Sequence, residues 1–181
     1  MRVISGTARG RKLKELTGIE IRPTSDMVKE SIFNIVQFDI EGRQVLDLFA
    51  GTGQLGIEAL SRGARSAVFV DISREAVKLV KDNVELCGFS DVSTFFRRDA
   101  LSYLKHCGTF DLIFIDPPFD TKLAGMSLER IIEFDKLDTN GIIICETGAD
   151  IAAPGVLPPY YLLKEYIYGS VKVARYTRME N

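Results

Sequence analysis

The sequence predicts an α/β fold in which a mostly parallel sheet carries helices on both faces. Segments of strand character alternate with segments of helical character through most of the chain, as in folds whose parallel strands are joined by helices. A glycine-rich turn follows the first core strand, where such folds pass from strand to helix. A tail rich in β-branched and aromatic residues departs from this alternation and predicts an antiparallel hairpin at the sheet edge.

The N-terminal residues form the first two predicted elements. Residues 1–20 are expected to fold as a small basic β-hairpin arm, because two short strand-like segments flank a glycine-containing turn. Residues 21–40 contain a leading helix, whose N-terminus Thr24 or Ser25 can cap with a side-chain oxygen. The apolar positions of this helix share one face, as expected of a helix that packs on a core.

Residues 41–181 form the predicted core, and with the arm and the leading helix they make one domain of 181 residues. Strands are predicted at 44–49, 66–71, 92–97, 110–116 and 141–146. Helices are predicted at 53–62, 73–87, 100–106 and 124–134. The C-terminal hairpin is predicted at 160–177, around Gly169 and Ser170.

The composition is that of an ordinary globular protein, with 46% hydrophobic and 27% charged residues. No apolar segment approaches the ~20 residues of a membrane-spanning helix, so no membrane partner is expected. The three cysteines have neither disulfide-framework nor zinc spacing, which favours a reducing compartment. We expect a cytoplasmic protein without a metal site, and we take it to be a monomer.

Charge is unevenly distributed along the chain. Residues 1–14 carry five basic side chains and no acidic one, whereas the rest of the chain has a net charge of −7. A basic arm on an acidic body indicates a face that meets phosphate groups. A solvated hairpin that happens to be basic is the alternative interpretation.

The segment "VLDLFAGTGQLGIEAL" predicts a cofactor-binding loop between a buried strand and a helix. Gly51 and Gly53 allow a sharp turn and a close approach to a ligand, and the helix N-terminus offers N–H donors. Asp71 closes the next strand, 20 residues beyond Gly51, where its carboxylate can accept from both hydroxyls of a ribose. This combination indicates an adenosine-containing cofactor.

Asp47 distinguishes between the two cofactor classes that share this geometry. A dinucleotide places a pyrophosphate at the glycines, and a carboxylate beside it would repel the ligand. S-adenosylmethionine presents an ammonium and a sulfonium, which an acid stabilises, so we predict this cofactor. Asp99 can accept from the adenine amino group, and it can also cap the helix that begins at Ala100. Cofactor contacts are also expected from Phe49, Ile72 and Ala100.

The order of these residues resembles that of the class I S-adenosylmethionine-dependent methyltransferases. The matching positions are Asp47, Gly51, Gly53, Asp71, Asp99, Asp116, Pro117, Pro118 and Phe119. The resemblance implies a Rossmann-like, seven-stranded, mostly parallel sheet, to which the C-terminal hairpin contributes the antiparallel edge. The Asp-Pro-Pro-Phe tetrad is similar to that of amino-methyltransferases, which methylate exocyclic nitrogens of bases.

The stretch "FIDPPF" places a carboxylate, two prolines and an aromatic ring at the mouth of a buried strand. Two prolines end the hydrogen bonding of the strand and stiffen its exit, so a strand terminator is the simpler interpretation. In a methyltransferase, the Asp116 carboxylate and the Pro117 carbonyl can accept from a base amine and direct its lone pair at the methyl group. Phe119 can stack on a base that is unpaired or flipped out.

Four longer segments carry a closer resemblance. They are "RVISGTARGRKL", "IRPTSDMVKESIFN", "LDLFAGTGQLGIEALSRGA" and "FDLIFIDPPF". Together they resemble the bacterial 16S ribosomal RNA (guanine-N2)-methyltransferase family, the RsmD group. The resemblance implies methylation of a guanine in 16S ribosomal RNA within small-subunit particles, with the guanine held at residues 116–119. It also implies RNA contacts from Arg9, Arg11, Lys12, Arg22 and Thr24. Asp71 stands where many relatives carry Glu, which keeps the acid and shortens its reach.

Two other functions share these features. The tetrad alone does not choose the base, so a DNA or RNA amino-methyltransferase acting on adenine N6 or cytosine N4 is an alternative. A separate target-recognition domain does not fit within 181 residues, which argues against a sequence-specific DNA enzyme. A non-catalytic RNA-binding assembly protein is the third possibility, and the intact glycine loop and tetrad argue against it.

Overall fold

The computed structural model describes residues 1–15, 26–118 and 122–179, which form one seven-stranded sheet and five α-helices. The strands are β1 Gln44–Asp47, β2 Ser66–Asp71, β3 Ser93–Arg97, β4 Phe110–Ile115, β5 Leu137–Gly148, β6 Tyr160–Tyr168 and β7 Val171–Arg178. The helices are α1 Asp26–Ile35, α2 Gln54–Ser61, α3 Arg74–Cys87, α4 Ala100–Leu104 and α5 Leu123–Glu133. Within this part of the chain, none of the helices is long and apolar enough to cross a membrane.

The strands lie in the order β3-β2-β1-β4-β5-β7-β6. Strands β1 to β5 are mutually parallel, whereas β7 runs antiparallel to both β5 and β6. The predicted fold class is therefore confirmed, including the antiparallel hairpin at the edge. Strands β2 and β3 lie on one side of β1, whereas β5, β7 and β6 lie on the far side of β4, so the strand order reverses between β1 and β4. The crevice at such a reversal is the usual place for a ligand.

Each face of the sheet is buried against its own helices. On one face, Phe33, Ile57 and Val80 bring α1, α2 and α3 against the strands. On the other face, Leu104 and Leu128 do the same for α4 and α5. Strands β1 and β4 lie between covered faces, and nearly all their residues are buried. Polar side chains are therefore confined to the ends of these strands, where the site is built.

Residues 1–15, the described part of the N-terminal arm, double back on themselves as predicted, but they contain a single β-bridge rather than two strands. The bridge joins Arg2 to Lys12, and the Val3 N–H donates to the Arg11 carbonyl at 2.9 Å. Two further backbone hydrogen bonds join the two halves of the arm, from the Gly10 N–H to the Val3 carbonyl at 2.9 Å and from the Leu13 N–H to the Met1 carbonyl at 3.2 Å. Other backbone groups of the arm bond to α2. Glu58 of α2 is fully buried and accepts from the backbone N–H groups of residues 4 and 5 at 2.7 and 2.9 Å.

The predicted bounds of the core elements agree with the structure within a few residues, except for β5. This strand begins at Leu137, which pairs with Phe110, and not at the predicted residue 141. The pairing shifts register before Ile142, and Asn140 adopts a left-handed φ of 59°. The polar stretch around Asn140 resembles a loop in sequence, although it continues the strand through an irregularity.

Candidate active site

Each of the five parallel strands has a carboxylate side chain at or near its C-terminal end. These ends form one edge of the sheet, the carboxyl edge. In spatial order from β3 to β5 the carboxylates are Asp99, Asp71, Asp47, Asp116 and Glu146. Neighbouring strands lie about 4.8 Å apart, so the row is about 20 Å long. The four aspartates predicted from the sequence thus share one crevice rim, with the strand-order reversal between Asp47 and Asp116.

Asp47 is the most deeply buried of these acids, with 2% of its surface exposed. Its Oδ2 accepts from the Gly56 N–H at 3.0 Å, which fixes the first turn of α2. Burial, assisted by the nearby charges of Asp116 and Asp71, raises the pKa of Asp47 to about 7 despite this hydrogen bond. A cationic group at the carboxyl edge would stabilise the ionised form, so this carboxylate suits the ammonium or sulfonium predicted from the sequence.

The glycine loop needs its glycines for space as well as for backbone conformation. Gly51 and Gly53 have φ angles of 54° and 78°, in the left-handed region. A β-carbon at Gly53 would lie 2.9 Å from Val80 Cγ1, and one at Gly56 would lie 2.3 Å from Phe69 Cε1. The loop therefore turns tightly above β1, and α2 lies close against β2.

Asp71 fastens two loops at the end of β2. Its Oδ2 accepts from the Gly51 N–H at 2.9 Å, and its Oδ1 accepts from the Ser73 N–H at 2.8 Å. A carboxylate has about four acceptor positions, so each oxygen retains capacity for a ribose hydroxyl. The next residue, Ile72, is 67% exposed and offers an apolar surface beside the carboxylate. These residues fit the adenosine part of the predicted cofactor.

Asp99 caps α4, because its Oδ1 accepts from the Ser102 N–H at 2.9 Å. The side chain is half-buried, and its other oxygen leaves the predicted contact with an adenine amino group open. Ala100 is buried, so it would meet a ligand through its backbone. Phe49 is half-buried against the core on the α4 and α5 face. The cofactor contacts of these residues stay predictions.

The Asp-Pro-Pro segment leaves the sheet between β1 and β5. Asp116 is half-buried, Pro117 is buried and Pro118 is exposed, whereas Phe119 lies outside the described residues. Burial raises the pKa of Asp47 on one side of Asp116 and the pKa of the Cys145 thiol on the other. The charge of Asp116 raises both pKa values further, so Asp116 lies close to both groups. The predicted catalytic carboxylate is therefore beside the strand-order reversal, next to the predicted cofactor residues.

The basic arm runs along α2 from the carboxyl edge to the opposite, amino edge of the sheet. At the amino edge, the Thr7 N–H donates to the carbonyl of Ser61, the last residue of α2. The turn that carries Arg9 is consequently separated from the glycine loop by the length of α2, about 12 Å. Arg9, Arg11 and Lys12 are exposed, as an RNA contact requires. Arg22 and Thr24, the other predicted RNA contacts, lie outside the described residues.

Asn83 joins the other end of the arm to the glycine loop, a role that the sequence did not predict. Its side chain is fully buried; Oδ1 accepts from the Lys14 N–H at 2.8 Å, and Nδ2 donates to the Lys14 and Thr52 carbonyls at 3.1 and 2.9 Å. One asparagine in a helix carries no sequence signal for such contacts. In the described ranges of the chain, no group of His, Cys, Asp or Glu is arranged to hold a metal ion.

Known proteins are similar to this chain in both sequence and structure. A family model described as conserved hypothetical protein 95 matches residues 1–177. Ribosomal RNA small subunit methyltransferase D of Haemophilus influenzae is 36% identical over 181 residues, which cover 97% of this chain and 93% of the relative. The chain belongs to this methyltransferase family. The resemblance to the RsmD group is thereby confirmed.

Solved structures agree with membership of the RsmD family. The yhhF protein of Escherichia coli superposes with a TM-score of 0.90 at 31% identity, covering 100% of this chain and 99% of its own. The RNA methyltransferase of Salinibacter ruber, solved with S-adenosyl-L-homocysteine, has the same fold, with a TM-score of 0.65 at 18% identity. The protein is a methyltransferase with a Rossmann-like sheet.

Proposed function

We propose that this methyltransferase modifies the exocyclic N2 amine of a guanine in 16S ribosomal RNA of the small ribosomal subunit. The observation that carries the proposal is the position of Asp116 and Pro117, at the strand-order reversal and beside the predicted cofactor residues. The family supplies the substrate class, because the Haemophilus relative is named for ribosomal RNA of the small subunit.

Asp116 and Pro117 prepare the amine for reaction. The lone pair of a guanine amine is delocalised into the ring, which makes the nitrogen a poor nucleophile. The carboxylate and the proline carbonyl each accept one N–H of the amine and turn its lone pair away from the ring. When bound, S-adenosylmethionine supplies an electrophilic methyl group. Phe119 stacks on the guanine and holds it in plane, which requires a base that is unpaired or flipped out.

Three acids of the carboxyl edge bind the polar groups of S-adenosylmethionine. Asp71 accepts from the ribose hydroxyls, Asp99 accepts from the adenine amine, and Asp47 faces the positive charges. Each carboxylate already accepts at least one hydrogen bond from a backbone N–H, and its remaining lone pairs are available to the cofactor. The backbone bonds hold the carboxylates in place before the cofactor arrives, which limits the entropy lost on binding.

Ribosomal RNA is contacted over a broad surface in this proposal. Arg9, Arg11 and Lys12 bind phosphates beside α2, and the family resemblance adds Arg22 and Thr24 as further RNA contacts. The basic arm spans about 12 Å along α2, so the RNA footprint extends well beyond the target guanine. A monomer acting on small-subunit particles in the cytoplasm satisfies these requirements.

The test is methylation of small-subunit particles purified from a bacterial strain that lacks its own copy of this enzyme. Particles are incubated with the protein and methyl-labelled S-adenosylmethionine, and the RNA is digested to nucleosides. The expected labelled product is N2-methylguanosine in 16S RNA. Labelled N6-methyladenosine or N4-methylcytidine would identify the alternative amino-methyltransferase, and unlabelled RNA would contradict the proposal.

A further inference from the structure

A cavity of about 530 Å³ lies between the start of α5 and the loop that follows β5. Lys122, Met126 and Glu129 line one wall at the spacing of a single helix face. The other wall is lined by Thr147, Ile151 and Pro154. The volume falls within the range of small-molecule pockets, and Met126 is 41% exposed, so the cavity opens to solvent.

The register of the sheet places this cavity next to the Asp-Pro-Pro segment. Ile115 and Cys145 are paired in the parallel ladder between β4 and β5. Counting on by the same register, Asp116 is beside residue 146 and Pro117 is beside Thr147, a cavity wall residue. The cavity therefore lies at the carboxyl edge beyond Asp116 and Pro117, on the side away from the predicted cofactor residues.

Strand β7 holds the loop wall in position. The Lys172 ammonium donates to the Ile151 carbonyl at 2.7 Å, and the Tyr176 hydroxyl donates to the Pro154 carbonyl at 3.0 Å. Lys172 and Tyr176 are themselves buried. The wall is thus anchored to the sheet, and the cavity is formed before any ligand enters it.

The lining has the chemistry of a nucleotide site. Met126, Ile151 and Pro154 present apolar surface, which suits the flat faces of a base. Lys122 offers a cation to a phosphate, and Glu129 offers acceptors to an amino or imino N–H of the base edge. A simple anion site would not include Glu129, and a purely apolar ligand would leave both charges unused.

We propose that this cavity binds a second nucleotide of the RNA, unpaired and adjacent to the target guanine. The base lies against Met126 and Pro154, its edge faces Glu129, and its phosphate contacts Lys122. This inference rests on the proposed function and adds a second subsite to it. The subsite explains how a protein of this size can select one guanine, because two unpaired nucleotides must fit at once.

Gly125 provides a matched pair of variants for testing the subsite. A β-carbon there would lie 3.7 Å from Pro154 Cγ, an ordinary contact, so Gly125→Ala should fit without filling the cavity. Gly125→Leu should extend into it. In single-turnover methylation of small-subunit particles, we expect Leu to raise the half-saturating particle concentration about tenfold and Ala to change it less than about twofold. Both variants should bind S-adenosylmethionine like the wild type.

Two further measurements keep the test decisive if Gly125→Leu does not fold. A photoreactive benzoyl-phenylalanine replacing Met126 should crosslink to the nucleotide next to the methylated guanine. Lys122→Ala should weaken particle binding and flatten its salt dependence, whereas Lys105→Ala, an exposed lysine at the amino-edge end of α4, should do neither.

The outcomes separate the two proposals. If the wild type forms no N2-methylguanosine, the proposed function and the subsite both fail. If the wild type forms it but Gly125→Leu behaves like Gly125→Ala, or Met126 crosslinks only to distant nucleotides, the subsite alone is wrong.

Discussion

The Asp71 carboxylate accepts a hydrogen bond from the Gly51 N–H at 2.9 Å, so the acid that ends β2 holds the loop that follows β1. The same carboxylate fixes the Ser73 N–H through its other oxygen. Asp71 therefore shapes the cofactor loop in addition to the ribose contact that the sequence predicts. Its loss should affect the cofactor site twice, through a missing acceptor and through a looser glycine loop.

The first prediction follows from this double role. Asp71→Ala should weaken S-adenosylmethionine binding by about 1–3 kcal/mol, the cost of leaving polar groups unpaired. Isothermal titration calorimetry measures the change directly. Asp91→Ala is the control, because Asp91 is an exposed acid in the short 3₁₀ helix before β3. Unchanged cofactor affinity in Asp71→Ala would remove Asp71 from the site.

The second prediction concerns the stability of the cofactor-free protein. The pKa of Asp47 is about 7 in the folded state against an ordinary value of 3.8, so the folded protein holds this proton more tightly. The resulting stabilisation is complete below pH 3.8 and is lost as the pH rises towards 7. Asp47→Asn can still accept from the Gly56 N–H and never ionises.

The free energy of unfolding of Asp47→Asn, taken relative to that of the wild type, should consequently be roughly 1–3 kcal/mol higher at pH 8 than at pH 5. Urea denaturation of both proteins at the two pH values gives this difference. Asp91→Asn makes the same chemical change at an exposed position and should show no such gain. A difference that is constant with pH would mean that Asp47 keeps an ordinary pKa in the folded state.

The third prediction connects Asp47 to the cofactor. If the ammonium or sulfonium of S-adenosylmethionine lies near Asp47, binding lowers the pKa of this carboxyl and releases its proton. Between pH 5.5 and 7, below the ordinary pKa of an α-amino group, wild-type affinity should rise with pH. Calorimetry in two buffers of different ionisation enthalpy counts the released protons. Asp47→Asn should release none, and equal release by both proteins would contradict the assignment.

The gathering of four acids at the carboxyl edge could be predicted from the sequence for a physical reason. Parallel strands that end in acids bring those acids to the same edge, whatever the details of packing. Asp47, Asp71, Asp99 and Asp116 could therefore be grouped from their positions at strand ends alone. The residues before Asp116 are apolar over the length of a strand, as expected of a strand that is buried on both faces of a sheet. The structure shows this burial for β4.

Contacts distant in sequence were not predictable in the same way. Glu58 bonds backbone groups 53 and 54 residues away, and Asn83 bonds Lys14 across 69 residues. A side chain that pairs with backbone N–H and carbonyl groups imposes no residue type on its partner, so it leaves no pattern. The position of Arg9 at the amino edge follows from another such contact, between the Thr7 N–H and the Ser61 carbonyl, and for that reason it could not be predicted from the sequence.

The fourth prediction concerns the arm. Arg9→Ala combined with Arg11→Ala should weaken particle binding and reduce its salt slope by about 1.4–1.8, the effect of losing two phosphate contacts. The methylation rate at saturating particles should be unchanged, because both side chains are exposed and the turn that carries Arg9 lies at the end of α2 opposite the glycine loop. Filter binding at several salt concentrations measures the slope. An unaltered slope would identify the arm as a solvated hairpin.

The last prediction concerns the chemistry at Asp116. If its carboxylate accepts from the target amine, the interaction is strongest in the transition state, so Asp116→Ala should lower single-turnover methylation about 10²-fold or more. Cofactor affinity should change far less. Asp116→Asn keeps an amide oxygen that can accept, and it should retain more activity than Ala if that oxygen faces the amine. Near-wild-type turnover in Asp116→Ala would reduce the segment to a strand terminator, as its two prolines alone suggest.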